Sequence, residues 1–151
     1  MNVTALPPGP LAGTRFHRNS AGVLCCEGRP LTEIAQAFGT PCYVYSEQTL
    51  IEAYQQFSAI AAEKNSLICY ALKANSNLAL ITLLAAQGAG FDIVSAGELQ
   101  RVLAAGGRPD RIVFSGVGKT VSEISAALGA NIKCINIESK AELHRVAEVA
   151  A

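Results

Sequence analysis

The sequence predicts an α/β fold in which parallel strands alternate with helices. Three observations carry that prediction. Short apolar runs recur every roughly 20–25 residues, the period of strand–helix units joined by right-handed crossovers. The runs are continuously apolar rather than alternating, as suits parallel strands covered on both faces. Three of the four strand-to-helix turns also share one helix-start signal: Ser95-x-x-Glu98, Thr120-x-x-Glu123 and Ser139-x-x-Glu142. In each, the hydroxyl can accept from the third helical N–H while the carboxylate reaches back to the cap residue's own N–H. Two architectures suit the pattern, a doubly wound sheet or part of a (β/α)8 barrel, and a whole barrel takes about 250 residues. With four units in 151 residues, the barrel reading makes this chain its first half plus an N-terminal extension.

Residues 1–20 are rich in proline and glycine, lack periodicity and read as a loose lead-in. Val23–Cys26 is an apolar patch between glycines, suited to an edge strand. Leu31, Ile34, Ala35 and Phe38 share one helical face, and Gly39-Thr40-Pro41 ends that helix. Cys42–Tyr45 is a second short strand candidate. Ser46 caps a helix with an apolar stripe of Leu50, Tyr54, Phe57 and Ile60-Ala61. The regular alternation follows. Strands are expected at Leu67–Leu72, Phe91–Val94, Arg111–Phe114 and Ile132–Ile137. The helices behind them carry Leu80, Ile81, Leu83 and Leu84; then Leu99, Val102 and Leu103; then Ile124, Ala127 and Leu128; then Leu143, Val146 and Ala147.

Half of the residues are hydrophobic and only 16% charged, ample for a packed core. Twelve basic residues balance twelve acidic ones, and no basic stripe is interleaved with aromatics, so neither nucleic acid nor an anionic membrane is an expected partner. No apolar run approaches the roughly 18 residues of a membrane span. The first residues lack a charged segment followed by an apolar one, so a secretory signal is not expected. The five cysteines (Cys25, Cys26, Cys42, Cys69 and Cys134) are odd in number and form no C-x-x-C pair. A reducing cytoplasm without disulfides or structural zinc is the simplest account. Cys69 and Cys134 read as small hydrophobes, and the adjacent Cys25 and Cys26 are a minor redox candidate.

In either architecture the chemistry belongs at the carboxyl ends of the strands. Those ends carry Lys73-Ala74-Asn75, Ser95-Ala96-Gly97-Glu98, Ser115-Gly116-Val117-Gly118-Lys119 and Glu138-Ser139. A lysine delivered by a buried strand and desolvated there acts as a neutral amine towards an aldehyde. The competing reading of Lys73 is a solvated lysine past a strand end. Asp92 lies inside the second strand, where a carboxylate costs several kcal/mol unless paired. It faces either solvent or a cation such as Lys73 or a cofactor. Glu138 either points into a site or sits at a helix N-terminus, and Glu98 is accounted for by its capping box. Gly116-Val117-Gly118-Lys119-Thr120 resembles the tail of a P-loop, but the required first glycine is Val113. Gly88-Ala89-Gly90 precedes a strand, so it is no dinucleotide fingerprint. His17 and His144 have no ligand-spaced companions, so no metal site is expected.

Tyr70-Ala71-Leu72-Lys73-Ala74-Asn75 resembles the signature of fold-type III pyridoxal-phosphate enzymes. Phe91-Asp92-Ile93-Val94-Ser95-Ala96-Gly97-Glu98-Leu99, Val113-Phe114-Ser115-Gly116-Val117-Gly118-Lys119-Thr120 and Ile135-Asn136-Ile137-Glu138-Ser139 are similar, in the same order, to motifs of the diaminopimelate decarboxylase family. That family more often has glycine where Ala96 stands. Gly39-Thr40-Pro41-Cys42-Tyr43-Val44-Tyr45-Ser46 resembles its segment entering the barrel. The resemblance implies an alanine-racemase-like (β/α)8 TIM barrel, with residues 46–151 as its first four βα units. It implies that residues 1–45 are an N-terminal extension contributing to a β-domain.

It also implies pyridoxal 5'-phosphate as cofactor, Lys73 as the Schiff-base lysine, Asp92 as a cofactor-contacting residue and a homodimer. The implied reaction is decarboxylation of meso-diaminopimelate to L-lysine in lysine biosynthesis. Ornithine or arginine decarboxylase relatives, or a non-catalytic regulatory relative, are the alternatives. The family's ring-stacking histidine, glycine-rich phosphate loop, acidic residue facing the pyridine nitrogen, substrate-carboxylate arginine and cross-dimer cysteine have no counterpart in residues 1–151. The chain accordingly reads as a truncated product, a fragment or one piece of a split protein, inactive alone.

Overall fold

The computed structural model describes residues 13–151. They fall into two compact units, divided between Ala53 and Tyr54. In the first unit, β1 (Phe16–Arg18), β2 (Leu24–Cys26) and β3 (Arg29–Pro30) form an antiparallel sheet in that order, followed by α1 (Leu31–Phe38). Asn19 turns the chain between β1 and β2, its Oδ1 accepting from the N–H groups of Ala21 and Val23, both at 3.0 Å. Glu27 and Gly28 make the two-residue hairpin from β2 to β3, with φ of +49° and +82°. Two successive positive φ values give the turn whose twist matches paired strands.

The patch expected at an edge is thus the middle strand of this sheet. Part of the expected lead-in is β1, too short at three residues to show a period; the rest of that lead-in, residues 1–12, lies outside the described residues. Cys25 and Cys26 are buried. Burial, and next the Glu27 carboxylate, push the Cys26 thiol up, against the thiolate that redox chemistry needs.

Helix α1 spans the residues the sequence predicts, and Gly39 ends it at φ +79°. Cys42–Tyr45 is not a strand. No strand among the described residues pairs with it, and Tyr43 and Tyr45 stack on each other instead, ring centroids 6.5 Å apart. The next helix, α2 (Glu47–Ala62), starts as expected, with the Thr49 N–H donating to Ser46 Oγ at 3.0 Å. Its stripe is only partly covered. Ala61 is buried, whereas Phe57 and Ile60 are 64% and 67% exposed, because no described element packs over that end of the stripe.

The second unit is a run of strand–helix pairs. It comprises β4 (Cys69–Ala71), α3 (Leu78–Ala86), β5 (Gly90–Ile93), α4 (Ala96–Ala104), β6 (Ile112–Phe114), α5 (Val121–Gly129), β7 (Cys134–Ile135) and α6 (Lys140–Ala150). The strands are parallel, in the order β4-β5-β6-β7. A doubly wound sheet reverses its order at a switch point. This sheet never does, so of the two architectures it has the progression of a (β/α)8 barrel. The strands are shorter than their apolar runs. Leu72 has passed into a 3₁₀ turn, Leu72–Ala74, and Arg111 into another, Pro109–Arg111.

The two faces of this sheet differ. Successive strand residues point to opposite sides. Leu72, Phe91, Ile93, Ile112 and Phe114 are wholly buried, together with Ile81, Val102, Ile124 and Ala127 from the helices. Each large side chain so buried contributes about 1.5–3 kcal/mol. The register Ala71–Asp92–Val113–Cys134 makes the other face, and its members are half-buried or exposed. Cys134 therefore does not behave as the buried hydrophobe its apolar run suggested; it is exposed.

Gly90 opens β5 on this second face. A Cβ there would stand 2.7 Å from Cys69 Sγ, 2.8 Å from the Arg111 carbonyl and 2.8 Å from Leu67 Cδ2. The Gly90→Ala variant is expected to lose about 1–3 kcal/mol of stability, read as a lower urea midpoint.

Candidate functional site at the carboxyl end of the sheet

Because β4 to β7 are parallel, their carboxyl ends share one edge of the sheet. The first end delivers Lys73, in the 3₁₀ turn that closes β4. The chain beyond it is pinned at three successive residues. Tyr70 Oη donates to the Asn75 carbonyl at 3.0 Å, Arg101 Nη1 donates to the Ser76 carbonyl at 3.2 Å, and Asn77 caps α3 by accepting from the Ala79 N–H at 2.9 Å. Asn75 Oδ1 also accepts from the Asn77 N–H at 3.0 Å. The Asn-Ser-Asn cluster thus fixes the turn and leaves Lys73 exposed, without a hydrogen bond or ion pair among the described residues. The desolvation expected for this amine is not supplied by them, since Leu72 takes the buried position of the turn and Lys73 the outward one.

Asp92 is on the neighbouring strand, paired with Ala71, two residues before Lys73. It lies between β4 and β6 rather than at a sheet edge. Its Oδ1 is buried and accepts no hydrogen bond. No ion pair joins Asp92 to Lys73: Asp92 is within β5 and Lys73 in the 3₁₀ turn after β4.

The other three ends are organised by carboxylates. Thr120 and Glu123 form the complete capping box: the Glu123 N–H donates to Thr120 Oγ1 at 3.3 Å, and the Thr120 N–H donates to Glu123 Oε2 at 3.0 Å. Glu123 Oε1 also accepts from the Ala96 N–H at 3.1 Å. The Thr120 N–H, then its hydroxyl, then the Ala96 N–H hold the Glu123 carboxyl below its ordinary value. Ser95 and Ser139 cap α4 and α6 as expected, accepting from Glu98 and Glu142 N–H at 3.2 and 3.1 Å. Their glutamates depart from the expected box. Glu98 Oε2 takes the N–H of Val94, and Glu142 Oε2 that of Glu138, each at 2.7 Å and one residue before the cap. The caps are in extended backbone, with φ near −157°, and the preceding N–H is the one satisfied.

Lys119 is the residue that sequence reasoning missed. It is buried, and its Nζ donates to the carbonyls of Gly116 and Asn136 at 2.7 Å each and to Glu142 Oε1 at 3.1 Å. The Phe114 ring centroid is 5.6 Å away. Asn136 Nδ2 donates to Ser115 Oγ at 3.0 Å. The loop after β6 is thereby tied to the loop after β7. Gly116 has φ +91° and would press a Cβ to 3.1–3.2 Å from Val94, so glycine suits this turn for both reasons. The P-loop likeness is therefore a structural clamp. Its available signal was Glu142, whose second oxygen the capping box left unassigned. Glu138 sits just before α6 with its side chain exposed, and His144 is exposed on α6. Among the described residues no three His, Cys, Asp or Glu side chains are grouped to hold a metal.

Residues 47–151 match the family model described as pyridoxal-dependent decarboxylase, pyridoxal binding domain. The chain belongs to this decarboxylase family. It is similar to diaminopimelate decarboxylase of Neisseria meningitidis serogroup A, with 53% identity over 128 residues, 85% of this chain and 32% of that protein. It is also similar to diaminopimelate decarboxylase of Vibrio cholerae, with 52% identity over 135 residues, 89% of this chain and 32% of that protein. The crystal structure of the M. jannaschii diaminopimelate decarboxylase in co-complex with L-lysine superposes with a TM-score of 0.87 and 35% identity, covering 93% of this chain and 34% of that one. The chain spans about a third of the length of the curated relatives it matches.

The donor set of this pyridoxal-binding domain fits its family's cofactor. An aldehyde needs an accessible amine without a salt-bridge partner, which Lys73 provides. A cationic or N–H-bearing group needs a buried acceptor without one, which Asp92 Oδ1 provides.

Removing one partner of the Lys119–Glu142 pair strands a buried charge, so Lys119→Met is expected to cost about 3–5 kcal/mol. Lys119→Met combined with Glu142→Leu is expected to recover most of that loss in urea titrations. The Glu138 N–H first, and Lys119 next, hold the Glu142 carboxyl below its ordinary value. A depressed carboxyl contributes stability above its unfolded-state pKa and loses it as pH falls through the folded one. Stability is therefore expected to fall more steeply on acidification in the parent chain than in Glu142→Gln.

Proposed function

We propose that this chain is the cofactor-anchoring segment of a diaminopimelate decarboxylase, which converts meso-diaminopimelate to L-lysine and CO2. The observation that carries the reading is the accessible Lys73 amine at the carboxyl end of β4, with the orphaned Asp92 carboxylate on the next strand. Similarity of 53% to a named diaminopimelate decarboxylase supports this substrate. The chlorella virus arginine decarboxylase, at 23% identity, shares the fold alone.

Lys73 Nζ would hold pyridoxal phosphate covalently at its aldehyde carbon, and Asp92 Oδ1 would accept a hydrogen bond from the cofactor or from that nitrogen. When bound, the cofactor supplies an electron sink for the electron pair left at Cα as a carboxylate departs. The residues after Lys73 act by holding its turn: Tyr70, Asn77 and Arg101 fix the backbone from which the amine projects. Residues 46–151 serve as the first four βα units of an alanine-racemase-like barrel, and residues 1–45 contribute to its β-domain. The working enzyme is a cytoplasmic homodimer. Among the described residues no helix is long and apolar enough to cross a membrane.

Residues 1–151 alone are expected to accept the cofactor without releasing CO2, because the sheet's Asp92 face is incompletely covered. The test is borohydride reduction of the chain with pyridoxal phosphate, followed by peptide mass spectrometry. A pyridoxyl label on the Lys73 peptide, lost in Lys73→Ala, is expected. A label on other lysines alone, or none, would sink the anchoring role; CO2 release from meso-diaminopimelate by the chain alone would overturn the claim that it is inactive.

A further inference from the structure

The opposite, amino end of the parallel sheet carries a second group of polar residues. A groove of about 380 Å³ is lined by Asn65, Ser66, Arg108, Asp110, Arg111 and Lys133. Arg111 immediately precedes β6 and Lys133 immediately precedes β7, so the register of the sheet brings them together: the Lys133 N–H donates to the Ile112 carbonyl at 2.9 Å. The groove thus lies away from Lys73, which follows the other end of β4.

Its charges do not balance. Three cations line it with one carboxylate. Asp110 is occupied by Arg108, with Nε to Oδ1 at 3.0 Å and Nη2 to Oδ2 at 2.6 Å. This bidentate pair uses both oxygens and holds the Asp110 carboxyl below its ordinary value. Arg111 has no carboxylate partner. Its Nη1 donates to the Gly88 carbonyl, which anchors one nitrogen of the guanidinium; the others have no hydrogen-bond partner among the described residues. Lys133 is exposed, and its ammonium makes no hydrogen bond or ion pair among the described residues. The carbonyls ending α2 do not oppose an anion there, because the N–H groups of Lys64, Asn65 and Ser66 take those of Ala61 and Ala62.

A guanidinium anchored at one nitrogen, an exposed ammonium and the Asn65 amide are the donors that suit a phosphate: Arg matches two of its oxygens, and Lys adds a point charge. A phosphate group carries about −1.5 to −2 at neutral pH, which complements Lys133 and Arg111; Asp110, ion-paired to Arg108, feels the Arg111 charge without an ion pair to it. We propose that this groove binds a phosphate-bearing small molecule, at a site separate from the one around Lys73.

The experiment is titration of the full chain with inorganic phosphate, at constant low ionic strength held with chloride, followed by calorimetry and by amide chemical shifts. Saturable binding with shifts at Ser66, Arg111 and Lys133 is expected. Lys133→Gln, an exposed position, is expected to weaken it about tenfold or more with an unchanged circular dichroism spectrum. Asp110→Asn releases Arg108 and is expected to tighten it, an effect that loss of fold cannot produce. Lys73→Ala is expected to leave it unchanged. The proposal is overturned if no saturable binding occurs, if Lys133→Gln and Asp110→Asn bind phosphate like the parent chain, or if Lys73→Ala abolishes binding. The last result would place the phosphate at the other end of the sheet.

Discussion

One ammonium group, Lys119 Nζ, ties together the carboxyl end of the sheet. An unpartnered ion in such a place would cost several kcal/mol. Here all three of its protons have acceptors: two carbonyls from different loops and a carboxylate from α6. Glu142 in turn accepts the Glu138 N–H, and Arg145 Nη1 donates to the Lys119 carbonyl at 3.3 Å. The geometry of two strand-to-helix connections rests on this node. They are the third and fourth of four loops that share an edge with Lys73. An edge built from loops needs such ties, because loop backbone has no ladder to hold it.

The sheet separates two tasks by face. The face under the helices is closed and apolar, and it accounts for most of the burial that keeps the strands in place. The other face presents Ala71, Asp92, Val113 and Cys134 in a row and is only half covered. Asp92 has its orphaned oxygen on this second face. Its side chain thereby points away from Phe91 and Ile93, its neighbours in sequence. Strand alternation alone makes this possible.

Much of the fold was legible because its signals are local. The helix at Leu31–Phe38, the caps at Ser46, Ser95, Thr120 and Ser139, and all four parallel strands lie where periodicity and start signals put them. What was not legible depended on partners distant in sequence. The strand Phe16–Arg18 exists through its pairing with Leu24–Cys26 and has too few residues for a pattern. Cys42–Tyr45 has a strand's composition but no neighbour to pair with. The exposure of Phe57 and Ile60 likewise depends on what packs against them. In the candidate site, Lys73 and Asp92 could be named from motif and placement. Of the Lys119 clamp only Glu142, 23 residues away, carried a signal; the other two acceptors are backbone carbonyls, which leave no mark on a sequence.

Two capping carboxylates reach beyond their own turns and link the units in series. Strand–helix units are often pictured as modules, each closed by its own turn. Here Glu123 of α5 reaches back to the N–H that opens α4, and Glu142 of α6 reaches back to the lysine that precedes α5. The starts of α4 and α5 are thus each tied to the unit that follows. Fraying therefore propagates against the direction of the chain: loosening α6 releases an acceptor that α5's approach depends on, and loosening α5 does the same to α4. The last three units are thereby secured in series, from the carboxyl-terminal one backwards.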